Sequence, residues 1–83
     1  MGKITIATIG TIKIKMDTKD DVYFDAKEPH VSFERNGSVI VNHVLLSEVD
    51  NLTGTGDSDL QDAIRYVRKN KEDIKNQYLK NNR

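Results

Sequence analysis

Cysteine and tryptophan are absent from these 83 residues, and proline occurs once. Without cysteine there is no disulfide staple, no thiolate zinc site and no thiol chemistry. Small secreted domains ordinarily need such staples, so the composition points to a reducing compartment and a cytoplasmic protein. Long apolar runs are missing as well. Met1-Gly2-Lys3-Ile4-Thr5-Ile6-Ala7 alternates apolar with polar or small side chains, which suits neither a secretion signal nor a membrane span. Neither sign of charge dominates, since 13 basic and 13 acidic side chains cancel. The chain as a whole therefore lacks the concentrated positive field that attracts a phosphate backbone. Within it, residues 1–56 carry 6 basic and 8 acidic side chains and residues 57–83 carry 7 and 5, so any basic surface belongs to the C-terminal part.

What is present divides into a β-prone first half and a helical second half. From Ile4 to Met16 the apolar residues fall on even positions, except that Ile9 is out of phase and Gly10 sits at the slip. A glycine there marks a bulge or a break, so the segment reads as one kinked strand or two short ones, with Lys13 and Lys15 on the wet face. Residues 17–28 form a polar connection with 5 acids and 2 lysines, interrupted by Val22-Tyr23-Phe24.

The clearest local signal follows. Val31-Ser32-Phe33-Glu34-Arg35 and Ser38-Val39-Ile40-Val41-Asn42 are β-prone runs joined by Asn36-Gly37, which suits a two-residue turn needing positive φ at both central positions. A plain register from that turn sets Arg35 opposite Ser38, Glu34 opposite Val39, Phe33 opposite Ile40 and Val31 opposite Asn42. It puts Val31, Phe33 and Ile40 toward the core, and His30 opposite His43 on the outer face. Beyond the flexible Thr53-Gly54-Thr55-Gly56, Ser58 with Gln61 reads as a capping box, and Leu60, Ala63, Ile64, Val67, Ile74 and Tyr78 form one apolar helical stripe. Lys71 falls in the middle of that stripe, so either it snorkels or the second half of the stripe is uncovered. The expectation is a single α+β domain over residues 1–83. Its parts are a β-rich stretch (3–46), a loop (47–57) and one long helix (58–80), the helix packed on an antiparallel sheet of three to four strands.

Candidate chemistry is sparse. Asp17, Asp21, Asp25 and Glu28 take four positions of a calcium-loop window, but Lys19 and Val22 stand where an acid and the turn glycine belong. Gly54-x-Gly56 lacks the Gly-Lys-Ser/Thr ending of a phosphate loop, and Asp57 and Asp59 would repel an anion. His30 and His43 are the only histidines; a cross-strand pair beside Glu34 could hold a metal, serve a hydrolase or contact a partner, yet two ligands do not make a zinc site. No nucleophile elbow is present, and no cofactor or metal is assigned. Arg65, Arg68 and Lys69 line a basic helix face that a nucleic acid could use.

Glu28-Pro29-His30-Val31-Ser32-Phe33-Glu34-Arg35-Asn36-Gly37 resembles a family of small bacterial and phage domains of unknown function. Their hallmark is E-P-P-H-x-H-V, followed by a hairpin and a C-terminal helix. Ile9-Gly10-Thr11-Ile12 is similar to the family's glycine-containing strand, and the segment from Tyr66 to Tyr78 is similar to its helix pattern, with Tyr78 at the tryptophan position. One proline of the pair is missing and Ser32 replaces the second histidine. The resemblance implies a gene setting like that of toxin–antitoxin pairs and a protein-binding role without established chemistry. The expected function is thus a non-enzymatic module that binds a toxin, an antitoxin, a defence protein or a second copy of itself. Its contacts are expected at His30, Ser32, Glu34 and His43 on the outer hairpin face and at Lys71, Lys75 and Tyr78 on the helix. The alternatives are a nucleic-acid regulator and a His30/His43 metal or hydrolase site.

Overall fold

The computed structural model describes residues 3–18, 27–53 and 56–80. Four strands, β1 (Lys3–Ile9), β2 (Ile12–Asp17), β3 (His30–Arg35) and β4 (Ser38–Leu45), form one antiparallel sheet in sequential order. A single 3-10 turn (Val49–Asn51) then leads to two helices, α1 (Ser58–Lys69) and α2 (Lys71–Lys80). The architecture is therefore α+β, as the division of the sequence into a strand-rich and a helix-rich half implies. Asp21 and Asp25 of the calcium window, and Gly54 of the glycine pair, lie outside the described residues.

Period-2 alternation puts Ile12, Ile14 and Met16 of β2 on one face, where Phe33 pairs with Ile14 and Val31 with Met16. These residues, with Val44, are buried beneath Ala63, Ile64 and Val67 of α1 and Ile74 and Tyr78 of α2. The phase slip in the first segment has two parts. Gly10 (φ 60°) and Thr11 form the tight turn between β1 and β2, so there are two strands. The slip itself lies earlier, because Ile6 is skipped between the pairs Thr5–Lys15 and Ala7–Ile14, which turns Ala7 and Ile9 toward the Ile12/Ile14 face.

The second hairpin turns as expected, with Asn36 and Gly37 at φ 52° and 80°. Its register does not follow the plain count. Arg35–Ser38 and Glu34–Val39 pair, but then Phe33 meets Val41, Val31 meets Val44 and His30 meets Leu45. Ile40 is squeezed out, which leaves it 39% exposed instead of in the core, and a second irregularity at Asn42 and His43 puts His43 at φ 55°. Both bulged strands are sheet edges. Extra residues there twist and interrupt the free backbone, which protects an edge from pairing with other chains. β4 has no charged residue to do that work instead.

The expected single helix over 58–80 is interrupted at Asn70 (φ −112°, ψ 25°). The backbone N–H and the Nδ2 of Asn70 both donate to the Tyr66 carbonyl, and the side-chain bond competes with regular helix geometry. This kink resolves the Lys71 puzzle. Lys71 opens α2 and its Nζ reaches Asp50 Oδ2 at 2.7 Å, while Ile74 and Tyr78 continue the stripe and are buried in the core. The second half of the stripe is covered. The helix starts at Ser58, but the cap moves by one residue, since Asp57, not Ser58, accepts from the Leu60 N–H at 3.1 Å.

Candidate functional site

Three groupings bring chemistry-bearing side chains together. The first lies where β2 ends and β3 begins. Asp17 and His30, 4% and 3% exposed, touch with His30 Nε2 2.5 Å from Asp17 Oδ2. Lys3 Nζ is 3.8 Å from the other oxygen of Asp17. His30 Nδ1 lies 3.1 Å from the Glu28 carbonyl and 3.5 Å from the Tyr78 hydroxyl on α2. The His43 ring stacks on His30, centroids 4.0 Å apart at 23°. The two histidines are thus neighbours, but through a different register from the plain one: the bulge and positive φ of His43 swing its ring over a residue that pairs with Leu45.

Several expected contact residues are not surface groups at all. His30, Ser32 and Glu34, read as outward-facing, are buried, and Glu34 engages Lys15 at 3.2 Å. Tyr78, read as part of an exposed helix half, is fully buried. Among the described residues no group of three or more His, Asp or Glu side chains is disposed to hold a metal ion.

The second grouping pins α1 to the sheet. Asp59 accepts from both the N–H and the hydroxyl of Thr11, at 3.0 and 2.8 Å. Arg35 spans the gap, with Nε on the Thr11 hydroxyl and Nη2 on Asp57 at 2.8 Å. Gly10 is required here: a Cβ would lie 2.7 Å from Asp59 Cγ, and the positive φ disfavours any other residue. Arg35 holds the Asp57 carboxyl below its ordinary range, helped by the Leu60 N–H, and Thr11 does the same for Asp59. Both groups ionise more readily in the folded chain than in the unfolded one. They stabilise the fold above the usual carboxylate range, and that contribution is lost as pH falls through their depressed folded values. Thermal unfolding followed from about pH 5 down to about pH 2 should show a falling midpoint, and the fall should be shallower in Asp57→Asn and Asp59→Asn. Equal slopes in all three proteins would remove the clamp from the acid response.

The third grouping is a groove of about 430 Å³ between α2 and the end of the β3–β4 pair. Pro29, Leu45 and Leu46 give it an apolar floor, and Glu28, Lys71 and Lys75 stand on its rim. The Pro29 carbonyl accepts from the Leu46 N–H at 3.0 Å, which fixes one wall.

The basic helix face is partly spent on structure. Arg68 donates from Nε to the Val49 carbonyl at 3.1 Å and from Nη2 to the Asp50 and Leu52 carbonyls, fastening the 3-10 turn to α1. Arg65 faces Asp62 at 3.2 Å, and Lys69 is exposed. Sequence reasoning placed Asp17 in a calcium-loop window and missed its contact with His30, together with Asp50 and the Thr11–Asp59 contact. Asp59 carried a signal only as an acid at a helix start.

Comparison with known proteins adds no identity: no family model matches the chain, and neither does any curated protein or solved structure. Among the described residues no helix is long and apolar enough to cross a membrane.

Proposed function

We propose that this chain is a non-enzymatic protein-binding module acting in a toxin–antitoxin-like or phage–host defence setting. The observation that supports it is the groove beside α2, where an apolar floor (Pro29, Leu45, Leu46) lies under a rim carrying Lys71 and Lys75. Such a surface combines apolar burial with rim charges that steer and select a partner. The setting comes from the Glu28-Pro29-His30-Val31 resemblance. A nucleic-acid reading of the helix is less well supported, because the Arg68 guanidinium is committed to three backbone carbonyls and Arg65 to Asp62.

Tagged chain used as bait in extract of its native host should retain a specific protein. Reversing a rim charge with Lys75→Glu should reduce that capture by roughly tenfold, equivalent to about 1.4 kcal/mol. Val39→Asp, on the exposed hairpin away from the groove, should leave it unchanged. Equal capture by all three baits, or none by the unaltered chain, would sink the proposal.

A further inference from the structure

The Asn36-Gly37 turn carries chemistry of its own, independent of the groove and of any partner there. In any chain the side-chain carbon Cγ of an asparagine and the backbone nitrogen of the next residue can close a five-membered ring, a route by which asparagine is chemically labile. Closure is favoured by a nitrogen with no hydrogen bond to give up, by open space around the peptide and by a following residue without a side chain. The turn meets all three conditions. Asn36 and Gly37 are both exposed. Neither the Asn36 amide nor the Gly37 N–H has a hydrogen-bond partner among the described residues. A Cβ on Gly37 would meet no atom within 4 Å, so the peptide has room to turn.

The other asparagines among the described residues are held differently. After Asn51, the Leu52 N–H donates to the Val49 carbonyl at 3.2 Å. The Asn70 side-chain amide itself donates to the Tyr66 carbonyl at 2.9 Å. Asn76 lies inside α2, where the Gln77 N–H belongs to the helix ladder. Asn42 is followed by His43, whose ring is stacked on His30. Asn36 alone is followed by glycine.

We propose that Asn36 is a self-modifying site, converted through a cyclic imide to aspartate and to a destabilising isoaspartate. The Gly37 nitrogen bonds to Asn36 Cγ and gives up its proton. The Cγ–Nδ2 bond breaks, and the amide nitrogen takes up a proton and leaves as ammonia. Water, the only co-reactant, then opens the imide. Attack at Cγ restores the ordinary main chain with an aspartate side chain. Attack at the Asn36 backbone carbonyl breaks its bond to Gly37 instead, and the main chain then runs through Cβ and Cγ.

The two products differ in what they do to the hairpin. Asp-Gly suits the same turn as Asn-Gly, so the aspartate form keeps the Arg35–Ser38 pair. Isoaspartate adds an atom to the main chain between Arg35 and Ser38, and a two-residue turn has no place for it. Arg35 is also the residue that reaches the Thr11 hydroxyl and Asp57, so the altered turn adjoins the contact that fastens β3 to α1.

The test ages the folded protein in mildly alkaline buffer. Each conversion adds one negative charge to a chain whose formal net charge is zero, so ion exchange separates the products from the parent. Peptide mapping by mass spectrometry should find a gain of one mass unit at Asn36, with matching ammonia release, before any other asparagine reacts. Asn36→Gly retains a residue at ease with positive φ and should lose that ammonia release. Asn36→Asp supplies the aspartate form directly. The aged fraction rich in isoaspartate, identified by its acceptance of methyl groups from an isoaspartyl methyltransferase, should melt at a lower temperature than Asn36→Asp. An unchanged Asn36, earlier conversion at another asparagine, undiminished ammonia release from Asn36→Gly, or equal melting of the two forms would each overturn the proposal.

Discussion

Asp17→Ala is expected to cost about 3 kcal/mol of stability, because it removes one half of a buried polar pair and leaves the other half buried. Asp17 and His30 are 4% and 3% exposed, so water does not readily replace the missing carboxylate. A chain of this length has roughly 4 to 12 kcal/mol in total, so the loss is a large fraction of what holds the fold. Asp17→Asn keeps an oxygen at the site and should cost about 1 kcal/mol, while Lys3→Ala, which removes the half-exposed second partner, should cost less still. Urea unfolding followed by circular dichroism gives all three values. A result for Asp17→Ala within about 0.5 kcal/mol of the parent chain would mean that the contact contributes nothing to the fold.

Why Asp17 could be read as a calcium-loop position and turn out to be a structural partner of His30 is a matter of range. The Asn36-Gly37 turn was legible because two adjacent residues determine it through their own tolerance of positive φ. The pairing of β2 with β3 joins runs separated in sequence by residues 18–29, and the packing of Ile14 with Phe33 and Met16 with Val31 supports its register. Once that register exists, Asp17 and His30 meet at its end. Edge behaviour was hidden for a similar reason. Ile6, Ile40 and His43 leave the alternating pattern because β1 and β4 are edges, and a strand is an edge only with respect to the rest of the sheet. Lys71 shows the same thing on the helix. Read as part of one straight helix it interrupts an apolar stripe; with the kink at Asn70 it turns to Asp50 and the stripe resumes at Ile74. The helical stripe, an antiparallel sheet of three to four strands and the α+β class were legible, since each depends on periodicity within a segment.

The bulged register of the second hairpin leads to the other large effect. Phe33 is fully buried at the centre of the sheet, paired with Ile14 on one side and Val41 on the other. Phe33→Ala should therefore cost about 3 to 5 kcal/mol, through lost burial and the cavity left among side chains that relax only in part. The plain register would make Ile40 its cross-strand core partner, and Ile40→Ala would then cost about 2 kcal/mol or more. In the bulged register Ile40 is 39% exposed and Val41 takes its place, so Ile40→Ala should cost less than about 1 kcal/mol. Val41→Ala, at a half-buried position against Phe33, should fall between the two. Denaturant unfolding of the three variants decides between the registers, because the order Phe33, Val41, Ile40 belongs only to the bulged one. An Ile40→Ala loss exceeding that of Val41→Ala would put Ile40 back in the core and return the hairpin to the plain register.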